Sequence, residues 1–413
     1  MENERNDDRR HFIRGIVVGA VITLVLVEVA LYAEDFITSL SAKSTSETTA
    51  ETDDAAEEEG TGLDLTSDEI IAKLEEIEAI IDAYYLNDVD TELVESYIYK
   101  GVVAGLDDAY SAYYTEDEYA SLMDSTNGSY CGIGVSITQS TSTGIITVYQ
   151  VFEDSPAEEA GLLEGDILYK VEDWEVTGED LNSVVAEIKG EEGTTVNITI
   201  VREGEDDYIE LTVERHTIEV ETVEYEMLDD DIGYIYISSF DDVTVDQFNE
   251  ALDDLEGQGM ESLIIDLRDN GGGLVSSVCS ILDEILPEGL IVYTEDKYGN
   301  REEEYSDAEN YLDIPLVVLV NENSASASEI FAGAIKDYGI GTLVGTTTYG
   351  KGIVQNIYTL SDGTGLKITV SKYYTPNGNN IHEVGIEPDV EVEYDSTAEE
   401  DNQLAAAVEI LTE

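Results

Sequence analysis

Apolar and polar positions repeat along this chain with two periods. Residues 70, 71, 74, 77 and 80 are isoleucine or leucine at helical spacing, and Thr66-Ser67-Asp68 before them supplies a helix cap. A second helical stretch covers residues 93–106. From residue 130 to about 214 the period changes to two. Residues 145–151, 166–171 and 195–201 alternate as strands do, while residues 180–189 keep the helical spacing. From about residue 217 strands and helices take turns. Residues 232–240 (IGYIYISSF) read as a strand, 245–256 as a helix, and SLIIDLRDNGGG as a strand ending in a glycine turn. The β-branched run at 314–320 has the length of a fully buried strand. It leads into a helix with Ile330, Phe331, Ala334 and Ile335 on one face, then a short strand at 341–345 and a polar loop at 346–350. This succession predicts an α/β domain preceded by a β-rich module and a helical region.

The amino-terminal end follows a different pattern. Arg5, Arg9, Arg10 and Arg14 precede residues 16–33, which are apolar apart from Thr23 and Glu28. Eighteen helical residues span roughly 27 Å, enough for a bilayer core, and the basic side is expected to stay cytoplasmic. The competing reading is a cleaved signal peptide. Ala30-Leu31-Tyr32-Ala33 lacks the small residue at minus three of such a site, which favours an uncleaved anchor. Beyond it, residues 38–62 are rich in Ser, Thr, Glu and Ala and predict an acidic tether.

Composition narrows the function classes. The chain of 413 residues carries 94 acidic against 18 basic residues, a formal net charge of −76. A field of this sign repels nucleic acid and anionic lipid. Cys131 and Cys279 show no metal-ligand spacing and read as buried small apolar residues. Of the three histidines, His11 falls on the predicted cytoplasmic side, and His216 and His382 read as structural. Neither a GxSxG elbow nor an HExxH helix occurs, which argues against a lipase-like hydrolase and a zinc protease.

The candidate chemistry lies between residues 321 and 355. Ser324, Ser326 and Ser328 fall on the turn between the 314–320 strand and its following helix, whose first backbone N–H groups are free to face a developing oxyanion. Lys351, between two glycines, is one of only ten lysines. A desolvated lysine loses its proton more easily and serves as general base to a serine, so this pairing predicts a Ser-Lys dyad. The plainer reading of Ser326-Ala327-Ser328-Glu329 is a capping box, in which the glutamate reaches back to the helix start.

SASASEI followed by YGKGIVQ resembles the carboxyl-terminal processing proteases, tail-specific serine proteases that carry a PDZ domain. The resemblance implies that Ser326 is the nucleophile, Lys351 the base 25 positions later, and Gln355 the lysine-orienting glutamine, leaving Ser324 as the residue nearer to capping. DLRDNGGG resembles the family's DLRxNPGG, with Gly271 where proline is usual. The implied oxyanion hole consists of the backbone N–H groups of Gly272 and Ala327, with Gly273 as second choice. LDDAYSAYYTEDEY is similar to the family's amino-terminal helical region, although its Asp-Pro has become Asp108-Ala109. SPAEEAGLLEGDIL resembles the most recognisable phrase of PDZ domains, which puts Gly132, Ile133 and Gly134 in the loop that receives a peptide carboxylate.

The expectation is a crotonase-like α/β (ClpP-like) protease core with an inserted β-rich PDZ domain, a helical N-terminal region and one transmembrane helix. Its divisions are a basic tail (1–14), a signal-anchor (15–33), a linker (34–65), the helical region (66–125), the PDZ domain (126–216), the protease core (217–395) and a terminal helix or tail (396–413). The implied activity is that of an extracytoplasmic serine endopeptidase acting through an acyl-enzyme on proteins with accessible, apolar C-termini. No metal, organic cofactor or nucleic-acid partner is implied. The alternative from another class is a PDZ-bearing scaffold without turnover.

Overall fold

A computed structural model describes residues 62–412 except 153, 206, 308 and 399. The predicted basic tail, the signal-anchor at 15–33 and nearly all of the linker lie outside the described residues. Among the described residues no helix is long and apolar enough to cross a membrane.

The chain divides into two units at residue 88. Of the first, the helix Asp68–Tyr84 is described, with the Ser67 side chain at its N-cap and Ile70, Ile71, Leu74, Ile77 and Ile80 exposed along it. The second unit begins with the helix Thr91–Ala104, capped by the Asp90 carboxylate, which accepts the Leu93 N–H at 3.0 Å. The short strand Ala112–Tyr114 and the helix Glu116–Asn127 follow. The region read as helical thus contains a three-residue strand, and that strand pairs antiparallel with Gly365–Tyr374, some 250 residues away.

The β-rich module is an antiparallel sheet in the order Val135–Gln139, Ile146–Val151, Ile167–Val171, Thr195–Val201, Ile209–Glu214. Its strands alternate as a half-buried sheet requires: in Thr195–Val201 the side chains of Val196, Ile198 and Ile200 are buried between exposed or half-buried neighbours. Val184 and Ile188 of the helix Leu181–Ile188 close this core. The strand Ser129–Gly132 pairs with His216–Glu219, so the chain enters and leaves the module side by side. That is the geometry of a module inserted into another fold.

The core sheet runs Val223–Met227, Ile232–Ile237, Ser262–Asp266, Leu316–Val320, Thr342–Gly345, Val390–Glu391. All pairs after the first hairpin are parallel. Its two central strands are buried along their whole length, as expected of a parallel sheet covered on both faces. Leu263, Ile265, Val318 and Val320 face the cluster containing Phe248 and Phe331 from the helices Asp242–Gln258 and Ala327–Tyr338. Ile264, Val317 and Leu319 face the terminal helix Asn402–Thr412. Arg268 ties this helix to the sheet, reaching Asp266, Asp401 at 2.8 Å and Gln403 at 3.0 Å. A second sheet holds Gly289–Asp296, Arg301–Ser306, Ile353–Thr359 and Gly365–Tyr374, together with Ala112–Tyr114.

Candidate active site

The strand Leu316–Val320 delivers the chain to a tight turn before the helix Ala327–Tyr338. Ser324 and Ser328 are buried and serve the turn itself: the Ser324 hydroxyl donates to Leu267 O at 2.7 Å, and that of Ser328 to Asn270 O at 2.9 Å. Ser324 is therefore not a cap, contrary to expectation. Ser326 occupies the N-cap position and is the one serine of the three that is partly exposed. Its φ of 56° and ψ of −111° lie where a side chain is strained by about 1–3 kcal/mol. Hydrogen bonds on both sides hold it there: Ser326 N–H donates to Glu329 Oε2 at 2.9 Å, and Tyr373 Oη donates to Ser326 O at 3.0 Å. Burial, then the Glu329 charge, push the Tyr373 phenol well above its ordinary value, so the phenol stays a donor.

Glu329 does more than complete the capping box. It is fully buried, and besides Ser326 N–H its carboxylate accepts Thr348 Oγ1 at 2.6 Å, Gly350 N–H at 2.7 Å and Lys351 N–H at 2.8 Å. A buried carboxylate is tolerated only with such compensation. One side chain thus fastens the loop carrying Lys351 to the turn carrying Ser326. The loop lies so close to its neighbours that a Cβ at Gly352 would stand 2.6 Å from the His382 nitrogen, which accounts for the glycine after the lysine.

Lys351 is half-buried. Burial first, then the Lys367 ammonium, hold its amine below the ordinary lysine value, against the opposing charges of Glu329 and Asp108. Its Nζ lies 4.8 Å from the centre of the Tyr110 ring, and among the described residues it makes no hydrogen bond to the Ser326 hydroxyl.

The glycine turn predicted as half of the oxyanion hole packs directly on the serine: a Cβ at Gly272 would lie 2.8 Å from Ser326 Cβ and 2.9 Å from Ala327 N. The Gly272 N–H, however, donates to Asn270 Oδ1 at 2.8 Å, while Asn270 Nδ2 donates to Ile237 O. The amide expected to receive an oxyanion is thus engaged. Ala327 N–H and Gly273 N–H have no protein partner among the described residues.

Gln355 also departs from expectation. No helical turn follows Gly350. The strand Ile353–Thr359 begins two residues after the lysine, with a bulge between Val354 and Gln355. Gln355 Nε2 donates to Thr369 Oγ1 at 3.2 Å rather than reaching Lys351. The Thr369 side chain is in turn one of the groups that hold Asp108, so glutamine and lysine are connected at second hand.

In the β-rich module, the N–H groups of Ile133 and Gly134 have no protein partner among the described residues, while the carbonyls of both accept from Ala157 and Phe152. Gly132, Ile133 and Gly134 border a cavity of about 110 Å³ that continues between Ile137 and the helix residues Val185 and Ile188. At its edge Lys189 Nζ donates to Asp124 at 2.8 Å and lies 4.8 Å from the Tyr130 ring centre.

Sequence reasoning missed Asp108, Tyr110 and Tyr373 as neighbours of the site, as well as the engagement of Asn270. Only Glu329 carried a signal, its place in the S-x-x-E motif.

The chain matches Peptidase family S41 over residues 231–392 and the PDZ domain over residues 131–213. It is 38% identical to the carboxy-terminal processing protease CtpA of Bacillus subtilis (strain 168), over 76% of this chain and 67% of that protein. It is 36% identical to a carboxyl-terminal-processing protease of Synechocystis sp., over 75% of each. CtpB of Bacillus subtilis is 34% identical, over 80% of this chain and 69% of its own length. With this extent of likeness around a serine turn and a lysine loop fastened by one carboxylate, the chain belongs to peptidase family S41, as a carboxyl-terminal processing serine protease with a PDZ domain.

Proposed function

We propose that this protease works by a Ser-Lys dyad. Neutral Lys351 takes the proton of the Ser326 hydroxyl as Ser326 Oγ attacks the peptide carbonyl. The tetrahedral oxyanion is received by Ala327 N–H together with an amide of the 271–273 turn. Gly273 N–H is available for this as the turn stands, and Gly272 N–H becomes so on release from Asn270. The lysine then gives its proton to the leaving amine, and the acyl-enzyme forms. Water attacks the ester with Lys351 again as base, the carboxylic acid departs, and Ser326 recovers its proton. The observation that carries this reading is the Glu329 carboxylate, which accepts main-chain N–H groups from both Ser326 and Lys351.

The substrate is held near its end by the module of residues 126–216, where the open N–H groups of Ile133 and Gly134 suit a terminal carboxylate and the apolar cavity beside them suits an uncharged last side chain. The net charge of −76 disfavours acidic tails. Anchoring by residues 15–33 belongs to the same reading, with the core of residues 217–395 extracytoplasmic; it is supported by the four flanking arginines and the apolar run.

Cleavage of a peptide with a free apolar C-terminus tests the mechanism. Wild type should release the tail fragment, and Ser326→Ala and Lys351→Arg should not, since a guanidinium does not give up its proton. Turnover by Lys351→Arg would remove the lysine from the mechanism. Extraction of the full-length protein from membranes by alkaline carbonate, rather than by detergent alone, would remove the anchor.

A further inference from the structure

The segment between the helix Thr91–Ala104 and the strand Ala112–Tyr114 has no part in the dyad as described, yet it ends against the base. Lys351 Nζ stands over the Tyr110 ring at 4.8 Å from its centre. The ring is not there by chance packing. Asp108 accepts the Tyr110 N–H at 3.0 Å and the Ser111 hydroxyl at 2.5 Å, closing a small turn. Ser111 Oγ accepts the Thr369 N–H at 3.1 Å, and Ala112 pairs with Lys367, so the turn is sewn to the strand Gly365–Tyr374. Against the upward push of burial, these bonds, the Thr369 side chain and the Lys351 charge hold Asp108 below the usual carboxylate range. The Tyr349 hydroxyl, then burial, push the Tyr110 phenol up to about 12, so it presents a neutral ring at any working pH.

We propose that Tyr110 and Asp108 are positioning residues for the catalytic base: the ring is the platform on which protonated Lys351 rests away from Ser326, and the carboxylate fixes both ring and ammonium. The proposal rests on the Ser-Lys reading. An aromatic face attracts an ammonium and has no comparable hold on a neutral amine. The platform therefore stabilises the protonated base and releases it as the proton is lost, when Lys351 becomes free to turn to Ser326. The charges acting on Lys351 come from three directions: Glu329 on the helix, Asp108 on the turn and Lys367 on the strand. Burial and Lys367 favour the neutral amine; Glu329, Asp108 and the Tyr110 ring favour the ammonium.

The test is the pH dependence of Ser326 modification by a small fluorophosphonate, measured on the full-length chain. The rate should rise with pH as Lys351 loses its proton. Tyr110→Leu and Asp108→Asn each remove a stabiliser of the ammonium, so the rise should move to lower pH by about half to one unit. Tyr110→Phe keeps the ring and should leave it in place, whereas Lys367→Gln removes a like charge and should move it upward. Thermal unfolding of each variant separates loss of fold from loss of position, and Asp108→Asn stands in if Tyr110→Leu does not fold. An unmoved rise in both Asp108→Asn and Tyr110→Leu, with Lys351→Ala unreactive, overturns the platform and leaves the dyad. A rise that persists in Lys351→Ala overturns the dyad itself.

Discussion

The Lys351 N–H donates to the Glu329 carboxylate at 2.8 Å, and the other oxygen of that buried group takes Gly350 N–H and Thr348 Oγ1. The position of Lys351 is thus set by its main chain, through a residue of the helix that Ser326 begins. Glu329→Gln offers one acceptor oxygen where four donors converge, and leaves buried N–H groups unpaired at about 1–3 kcal/mol each. The expected result is a folded but less stable protein with activity reduced at least about 100-fold, seen as a lower unfolding temperature together with lost peptide cleavage. Activity within a few-fold of wild type would show that the carboxylate only caps the helix.

The pH dependence follows from the direction of the Lys351 shift. In the proposed dyad only the neutral amine accepts the serine proton, and its fraction grows with pH. Because burial and Lys367 hold the amine below the ordinary lysine value, the neutral form is reached at lower pH than an unperturbed lysine would need. The acid limb of kcat/KM should therefore lie below the range of a free lysine and be absent from any residual activity of Lys351→Ala.

Gln355 tests how far second-hand support extends. Its amide bonds to Thr369, and the Thr369 side chain helps to hold Asp108, so Gln355→Leu and Thr369→Val should lower activity to similar, modest extents, about 3- to 10-fold. A loss in Gln355→Leu as severe as in Lys351→Ala would mean that the glutamine bonds the lysine directly during turnover.

Carboxylate capture has its own signature. Peptides ending in a free acid and in an amide share every scissile bond, yet only the acid offers the open N–H groups of Ile133 and Gly134 a charged acceptor with two oxygens. A ratio of kcat/KM of about tenfold or more in favour of the acid is expected. Gly134→Ala should abolish the preference, since its Cβ would fall 2.4 Å from Ser155 Cβ at a φ of 78°. Equal cleavage of both peptides would leave the module as a gate or docking surface.

Much of this architecture was legible because the patterns are long. The continuous apolar run at Leu316–Val320 and the alternation in Thr195–Val201 leave few alternatives, and the Ser326 and Lys351 motifs stand out against a chain poor in lysine. What escaped the sequence shares a physical cause. Ala112–Tyr114 is too short to show a period, so nothing announced that it would carry Tyr110 to the lysine. Three of the four groups on Glu329 are main-chain N–H groups, whose direction depends on loop dihedrals rather than on residue identity. The Gly272 amide looked free for the same reason, until the Asn270 side chain turned back onto it. Gln355 was expected to need a helical turn, and the extended chain from Ile353 sends it to another partner.

The pairing of Ser326 with Lys351 is tested most directly by intact-mass spectrometry of the full-length chain after exposure to a fluorophosphonate at mildly alkaline pH, followed by peptide mapping. A single adduct on Ser326 is predicted for wild type, none for Ser326→Ala, and none for a folded Lys351→Arg, in which the serine is present but its proton has nowhere to go. An adduct on another residue, or undiminished labelling of Lys351→Arg, would contradict the account.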